Sequence, residues 1–205
     1  DTQEPRFSWK IKGDGTNLMQ TSYELQVAVS ESFTELLWDT GEISSDQSIL
    51  IAYEGPELSS GTRYFWRVRI KDNQGNSSSW SAPSYWEMGL LKESDWKARW
   101  IEPKQEEKPR GPGLFVRKNF TLDKQVAKAR AYVTAHGIYE LSINGEVVGN
   151  EVFTPGWTVY DKRLQYQVFD VTKHLKSGKN AIGAELGDGW YRGHLGWQDN
   201  WGVYG

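Results

Sequence analysis

The residue types most suited to ligand chemistry are concentrated near the end of the chain, from Gly187 to Gly205. This stretch reads GDGWYRGHLGWQDNWGVYG and combines aromatic rings with carboxylate, amide and guanidinium groups among many glycines. Aromatic faces can stack on the apolar face of a sugar ring, while charged and amide groups can bond to its hydroxyls. The composition therefore indicates either a loop that reads a ligand or an unusually aromatic piece of core.

Within this stretch, Trp190, Tyr191 and Arg192 follow a Gly-Asp-Gly turn at the end of a strand-like run. We expect the glycines to let the chain bend sharply and pass close to other backbone. Packing in the core or against another domain is the simpler interpretation of the three side chains, and carbohydrate binding is the alternative. For residues 197–201, exposure to a ligand and exposure to a neighbouring domain both stay open.

No motif in the sequence predicts a catalytic residue. The chain contains no cysteine, no G-x-S-x-G segment and no phosphate-binding loop. Two carboxylates could hydrolyse a glycoside, but no carboxylate here lies in a motif that indicates such a pair. The three histidines, His136, His174 and His194, lack the i, i+4 spacing of a helical metal site, so a histidine-based metal centre is not indicated.

Charge and hydropathy exclude several classes of partner. The 24 Lys and Arg residues against 27 Asp and Glu residues leave a net charge of −3, with no basic run that could bind phosphates. Nucleic acid and anionic lipid are therefore not expected as partners. No apolar run approaches the roughly 18 residues of a membrane span. A length of 205 residues favours two small domains.

The first half of the chain has the pattern of an all-β domain. Period-two alternation and turn residues predict short strands at 7–11, 23–29, 36–39, 48–51 and 64–70. Tyr64 begins a strand just after a tight turn, where its hydroxyl can bond back to the turn backbone as in a tyrosine corner. With Trp9 on an early strand and Trp80 before the last one, residues 1–92 resemble a fibronectin type III domain, an immunoglobulin-like β-sandwich that is most often a rigid coupler.

The second half, residues 93–205, is also predicted to be β-rich. Residues 95–101 are interpreted as its first short strand and residues 103–113, rich in charge, proline and glycine, as an exposed loop. The further strands are predicted at 114–120, 128–134, 137–143, 165–170 and 180–185. Asn144 and Gly145 predict a two-residue type I′ hairpin, and residues 171–175 predict one helical turn. The expected fold is a jelly-roll β-sandwich.

Three ordered blocks in this half carry a family resemblance. They run from Tyr132 to Glu146, from Thr154 to Arg163 and from Gly187 to Gly193. Together they resemble the amino-terminal accessory domain of bacterial α-L-rhamnosidases of glycoside hydrolase family 78, in which a fibronectin-like domain commonly precedes it. The resemblance implies a parent enzyme that releases terminal α-L-rhamnose from plant glycosides or pectic polysaccharides by inversion, with both catalytic carboxylates in a downstream (α/α)₆ barrel.

The same resemblance implies a fragment that lacks its own catalytic residues, is inactive alone and has a jelly roll incomplete at its carboxyl end. The partners implied are rhamnose-containing glycans, through the parent enzyme, and the downstream catalytic domain. Export to the periplasm or the cell exterior is favoured by the family's substrates, while the location itself stays open. The alternative is a stand-alone carbohydrate-binding or structural coupling module without enzyme activity.

Related modules of some family members bind rhamnose with the help of calcium, so calcium is possible in the second domain although no cofactor is required. Carboxylate and amide oxygens are the ligands that calcium prefers. The simpler interpretations are a hairpin residue for Asn144, a turn residue or partner of Arg163 for Asp161, and a glycine-flanked turn for Asp188. The carbohydrate-binding candidates are Asn144, Trp157, Asp161, Asp188, Trp190, Tyr191 and Arg192.

Overall fold

The computed structural model describes residues 2–13, 16–102, 113–196, 200–202 and 204. It separates into two compact units, Asp1–Arg99 and Trp100–Gly205. The boundary after residue 92 stays a prediction, although the contacts divide the chain a few residues later. Asp95 belongs to the first unit, where its carboxylate accepts a hydrogen bond from the Ser60 hydroxyl at 2.5 Å.

The first unit is built from antiparallel strands. The central pair, β2 and β6, carries alternating apolar residues, and Leu25 and Val27 of β2 are completely buried. The order in the main sheet is β3-β2-β6-β7, with β4 also paired to β2, while β1 pairs with β5. The strands are β1 Arg6–Phe7, β2 Gln20–Ala28, β3 Leu36–Asp39, β4 Ile43–Ser44, β5 Ile51–Ala52, β6 Arg63–Asp72 and β7 Ser84–Glu87.

The tyrosine corner predicted at Tyr64 is confirmed. The backbone N–H of Ser59 donates to the Tyr64 hydroxyl at 2.8 Å, and the side chain itself is buried. The ring of Tyr64 stacks on Trp86 with centroids 5.3 Å apart. This bond fixes the turn that precedes β6 to the core of the unit.

Tyr64→Phe is expected to lower the free energy of unfolding by about 1 kcal/mol, because the Ser59 N–H loses its part-buried acceptor while ring packing is retained. Chemical denaturation followed by circular dichroism measures the change. Tyr85→Phe is the control, since Tyr85 is 61% exposed. Equal stability of the two variants would contradict the corner's contribution.

The second unit contains one four-stranded sheet and two pairs of strands, the second of which is short and lies near the carboxyl end. The sheet orders are β11-β10-β13-β8, β12-β9 and β14-β15. Tyr139, Leu141 and Ile143 of β10 point into its core together with Phe169 of β12. The elements are β8 Leu114–Leu122, β9 Arg130–Val133, β10 Ile138–Ile143, β11 Glu146–Val147, β12 Gln167–Asp170, β13 Gly178–Gly187, α1 Gly189–Arg192, β14 His194–Leu195 and β15 Asn200–Trp201.

The predicted all-β class with two β-sandwich domains is confirmed, and so are two local predictions. Asn144 and Gly145 join β10 to β11 with φ of 54° and 88°, as a type I′ turn requires. One 3₁₀ turn occupies Thr172–His174 within the predicted helical segment.

Three strand predictions are wrong or too long. Residues 96–102 form no strand, because a 3₁₀ turn at Glu93–Asp95 is closed by the Asp95 carboxylate. β1 ends at Phe7, although the Trp9 backbone N–H still donates to the Ser48 carbonyl at 3.0 Å and its indole N–H donates to the Gln20 side-chain oxygen at 2.9 Å. The strand predicted at 48–51 is only Ile51–Ala52, since Leu50 has a positive φ of 58°. The predicted loop at 103–113 lies outside the described residues except for Gly113.

Candidate functional site

Three large side chains form an exposed aromatic surface on the second unit. Phe153 and Trp157 are 65% and 56% exposed. The rings of Trp157 and Trp190 are parallel within 2°, with centroids 6.2 Å apart, and Phe153 meets Trp190 edge-on at 6.2 Å. We call Phe153, Trp157 and Trp190 the aromatic surface.

The loop that carries Phe153 and Trp157 is anchored to strand β10. Thr154 is buried, and its hydroxyl donates to the Tyr139 carbonyl at 2.8 Å while its own carbonyl accepts the Tyr139 N–H at 2.8 Å. The Thr158 hydroxyl closes the loop by donating to the Arg163 carbonyl at 2.7 Å. These bonds hold the loop to the sheet while Trp157 points outward.

Trp190 is positioned by a glycine turn packed against a second glycine. Gly137 has φ of 90°, and a Cβ there would clash with the Gly187 carbonyl and lie 2.8 Å from that of Asp188. Gly189 has φ of 50°, and a Cβ there would lie 3.0 Å from the Gly137 carbonyl carbon. The predicted close passage of backbone is therefore present. Only glycine fits at 137, and this contact sets the direction in which α1 begins.

The other aromatic residue of α1 belongs to a stack. The ring of Tyr191 lies on His136 with centroids 4.3 Å apart, and Trp100 lies on the opposite face of His136 at 4.5 Å. Tyr191 also meets the buried Tyr160 edge-on at 5.2 Å. The Tyr160 hydroxyl has no hydrogen-bond partner among the described residues, and burial raises its pKa. Tyr191 therefore has a packing role.

Asn144 is exposed, but its side-chain amide is engaged in hydrogen bonds within the protein. Its amide nitrogen donates to the His174 carbonyl at 2.8 Å and to the Asn180 side-chain oxygen at 2.9 Å. Its amide oxygen accepts the Ala181 N–H at 2.9 Å. The geometry supports the structural alternative for this residue, because these bonds join the β10–β11 turn to the start of β13.

Of the remaining polar candidates, Arg192 is the last residue of α1, and Asp161 and Asp188 lie in turns. Asp161 is exposed in the turn in which Lys162 and Arg163 donate their N–H groups to the Val159 carbonyl. Asp188 precedes α1, and its carbonyl accepts the N–H groups of Tyr191 and Arg192 at 3.2 Å. Of the predicted candidates, the structure brings Trp157 and Trp190 together, whereas Asn144 and Tyr191 make separate structural contacts.

The described residues show no cluster of acidic side chains around these candidates. The Asn144 oxygen already accepts a backbone N–H. Within the described ranges, no group of three or more His, Cys, Asp or Glu side chains is placed to hold a metal ion. Calcium dependence of the second domain stays a prediction.

Sequence reasoning missed Phe153, His136 and Trp100 as members of these clusters. Phe153 has a positive φ of 57°, an unusual conformation for a bulky residue that a sequence pattern does not indicate. His136 was considered only as a metal ligand, although its neighbour Gly137 in the first family block could have pointed to a tight contact. Trp100 was assigned to a strand that does not form.

Alkaline pH should destabilise the protein through two buried tyrosines. Burial raises the pKa of Tyr139 to about 12 and that of Tyr53 to about 12. Both side chains are protonated in the folded protein. Their contribution to folding stability is therefore complete below the unfolded pKa of about 10 and is lost as pH rises towards 12. The thermal midpoint of unfolding should fall as pH rises across this range. The midpoint of Tyr139→Phe should fall less steeply. A midpoint that stays constant to pH 12 would contradict this.

Comparisons with known proteins agree on both units. The family described as "Rha78A-like, N-terminal immunoglobulin domain" matches residues 1–92, and "Alpha-L-rhamnosidase N-terminal domain" matches residues 124–204. Among curated relatives, an alpha-L-rhamnosidase of Formosa agariphila is 39% identical over 97% of this chain and 23% of its own length. One from an Alteromonas species is 37% identical over 93% of this chain and 22% of its own length.

Two solved structures match as well. Alpha-L-rhamnosidase from Dictyoglumus thermophilum has a TM-score of 0.84 at 39% identity, covering 92% of this chain and 23% of its own. The enzyme from Aspergillus terreus has a TM-score of 0.85 at 34% identity, covering 99% of this chain and 24% of its own. The chain thus spans less than a quarter of the length of these relatives.

Fold and comparisons together define a tandem of accessory β-sandwich domains. The chain belongs to the α-L-rhamnosidase family and corresponds to the amino-terminal, non-catalytic region of these proteins. In the part of the chain that is described, no helix has the length and apolar character to cross a bilayer.

Proposed function

We propose that this chain is the accessory region of a glycoside hydrolase that releases terminal α-L-rhamnose from plant glycosides or pectic polysaccharides by inversion. The observation that carries this proposal is the match of both units, in order, to the amino-terminal domains of proteins named alpha-L-rhamnosidase. The two carboxylates of the reaction belong to an (α/α)₆ barrel outside these 205 residues. The chain alone is inactive.

An activity assay tests this assignment. The 205-residue chain and the full-length polypeptide that contains it are compared for release of L-rhamnose from an aryl α-L-rhamnoside. We expect release only from the full-length polypeptide, with inversion seen by proton NMR of the first product. Release by the 205-residue chain itself, or none by the full-length polypeptide on any α-L-rhamnoside tried, would overturn it.

We infer that the second unit binds L-rhamnose at its aromatic surface. Trp157 offers a solvent-facing indole beside the parallel ring of Trp190. Such a face stacks on the apolar face of a sugar, and its geometry is held by the loop anchored at Thr154. Asp161 and Asp188 lie in the two turns that carry these rings, and their carboxylates would accept sugar hydroxyls.

Trp157→Ala is the variant that tests the surface, because this side chain is more than half exposed and its loss leaves the core intact. We expect L-rhamnose affinity to fall about tenfold, the equivalent of one stacking contact of about 1.4 kcal/mol. Tyr85→Ala in the first unit is the matched control, since Tyr85 is 61% exposed. Unchanged affinity in Trp157→Ala, or an equal loss in the control, would place recognition elsewhere.

A further inference from the structure

We propose that the second unit has another binding site, a cleft on the outer face of the sheet β11-β10-β13-β8, and that it takes an acidic oligosaccharide. The register Phe115↔Glu185↔Glu140 across β8, β13 and β10 puts these three side chains on one face. The opposite face of β10, with Leu141 and Ile143, packs into the core. The cleft therefore lies outside the core and is separate from the three residues of the aromatic surface.

The floor of the cleft is made of small residues. Ala181 and Gly183 occupy the middle of the central strand β13, and a Cβ at Gly183 would lie 3.2 Å from the Ser142 hydroxyl oxygen. Longer side chains, Arg117 and Asn119 of β8, stand beside this floor in register with Gly183 and Ala181. The result is an open cleft of about 970 Å³.

Charge changes sign along the cleft. Lys179 lies near the start of β13 and Arg117 lies beside its middle, whereas Glu140 and Glu185 oppose each other on adjacent strands towards its end. Among the described residues, no ion pair or side-chain hydrogen bond engages these four charged groups. Like charges opposed across strands are destabilising, so the glutamate pair costs stability without a partner among the residues that the structure describes.

An oligosaccharide with a carboxylate satisfies both ends. Its carboxylate would pair with the Arg117 guanidinium and the Lys179 ammonium, while neutral hydroxyls donate to Glu140 and Glu185. Phe115, 78% exposed at the acidic end, offers a stacking face. The seven residues of β8 from Phe115 to Thr121 span about 20 Å, which is longer than one sugar ring.

The shape of the face argues against a second copy of this chain as the occupant. The charge pattern could pair with itself in a two-fold dimer, but two concave faces would enclose a void over Gly183 rather than pack. A flexible chain of polar rings can follow the cleft and leave solvent on its outer side. This proposal depends on the face of the sheet alone and stands even if the aromatic surface binds nothing.

The test is titration calorimetry of the 205-residue chain with a four-ring oligosaccharide of alternating galacturonate and rhamnose. Arg117→Gln is expected to weaken binding about tenfold, because one charge-assisted contact is lost. Lys118→Gln is the matched control, as Lys118 is the next residue of β8, is exposed and points to the other side of the sheet. Its affinity should match that of the unchanged protein. The carboxyl-reduced oligosaccharide should bind the unchanged protein as weakly as the acidic oligosaccharide binds Arg117→Gln.

Several results would overturn the proposal that the cleft binds an acidic oligosaccharide. No binding of the acidic oligosaccharide, or equal affinity for its carboxyl-reduced form, would do so. Loss in Trp157→Ala but not in Arg117→Gln would move the ligand to the aromatic surface and leave the proposed function intact. Concentration-dependent dimers seen by sedimentation, and dissolved by Arg117→Gln, would assign the face to a second copy instead.

A stability measurement gives independent support. Glu185→Gln removes the charge repulsion between Glu185 and Glu140. The thermal midpoint of this variant should therefore rise while its affinity for the oligosaccharide falls. Such a trade of stability for binding is expected of a ligand site and not of a merely solvated face. A lower midpoint with unchanged affinity would contradict the proposal.

Discussion

Gly137→Ala is expected to lower the free energy of unfolding of the second unit by about 3 kcal/mol. Two costs combine at this position. The backbone has φ of 90°, which side chains rarely adopt, and the new methyl group would meet the carbonyl oxygens of Gly187 and Asp188. Because this contact directs α1, the rings of Trp190 and Tyr191 should also be displaced, and near-ultraviolet circular dichroism should change.

Gly145→Ala separates the two costs. Gly145 has almost the same φ, 88°, but nothing lies within 4 Å of a Cβ there. Only the conformational cost of about 1 kcal/mol should appear. Urea denaturation of both variants measures the difference. Equal destabilisation would mean that the close approach at Gly137 contributes nothing, and the positioning of the aromatic surface would then need another cause.

Asn144→Ala is expected to cost about 2 to 3 kcal/mol of unfolding free energy, since it removes three hydrogen bonds and places alanine at positive φ. The Ala181 N–H and the Asn180 side-chain oxygen each lose a partner. Denaturant midpoints measure the change. Sugar affinity of the protein that remains folded should be unchanged if the role of Asn144 is structural.

Asn150→Ala serves as the control for this variant. Asn150 is exposed in the same unit, and the hydrogen bond recorded for it uses its backbone N–H, which alanine retains. Its stability should stay within about 0.5 kcal/mol of the unchanged protein. If Asn144→Ala were as stable as this control but lost sugar affinity, Asn144 would be a binding residue and the structural interpretation would be wrong.

Sequence patterns predicted the parts of the fold that depend on local chemistry. Alternation across Tyr23, Leu25 and Val27 located β2, because period-two burial is a property of the strand itself. Asn144 and Gly145 predicted their hairpin, since few residue pairs accept two positive φ angles. The family blocks coincide with β10, the anchored loop and the glycine turn, where the chain packs against itself.

What could not be predicted depends on contacts between distant residues. The pairing of Trp157 with Trp190 requires the loop bond from Thr154 to Tyr139, which has no local signal. It also requires the approach of Gly187 to Gly137, for which the glycine pattern predicts a close passage but not the partner. The cleft is similar, because only the register of three strands reveals that Arg117 and Glu185 share a face. Trp9 and Trp96 show the opposite error, in which apolar alternation indicated strands at positions where the structure has none.

Titration of L-rhamnose into the 205-residue chain tests the central claim most directly, with calcium present and then with chelator. We expect saturable heat. The affinity for L-rhamnose should be about tenfold lower in Trp157→Ala and unchanged in Tyr85→Ala. Loss of the heat with chelator would add a calcium ion to the site. An absence of heat from protein shown to be folded would contradict the account and leave both units as scaffold, with sugar recognition elsewhere in the full-length polypeptide.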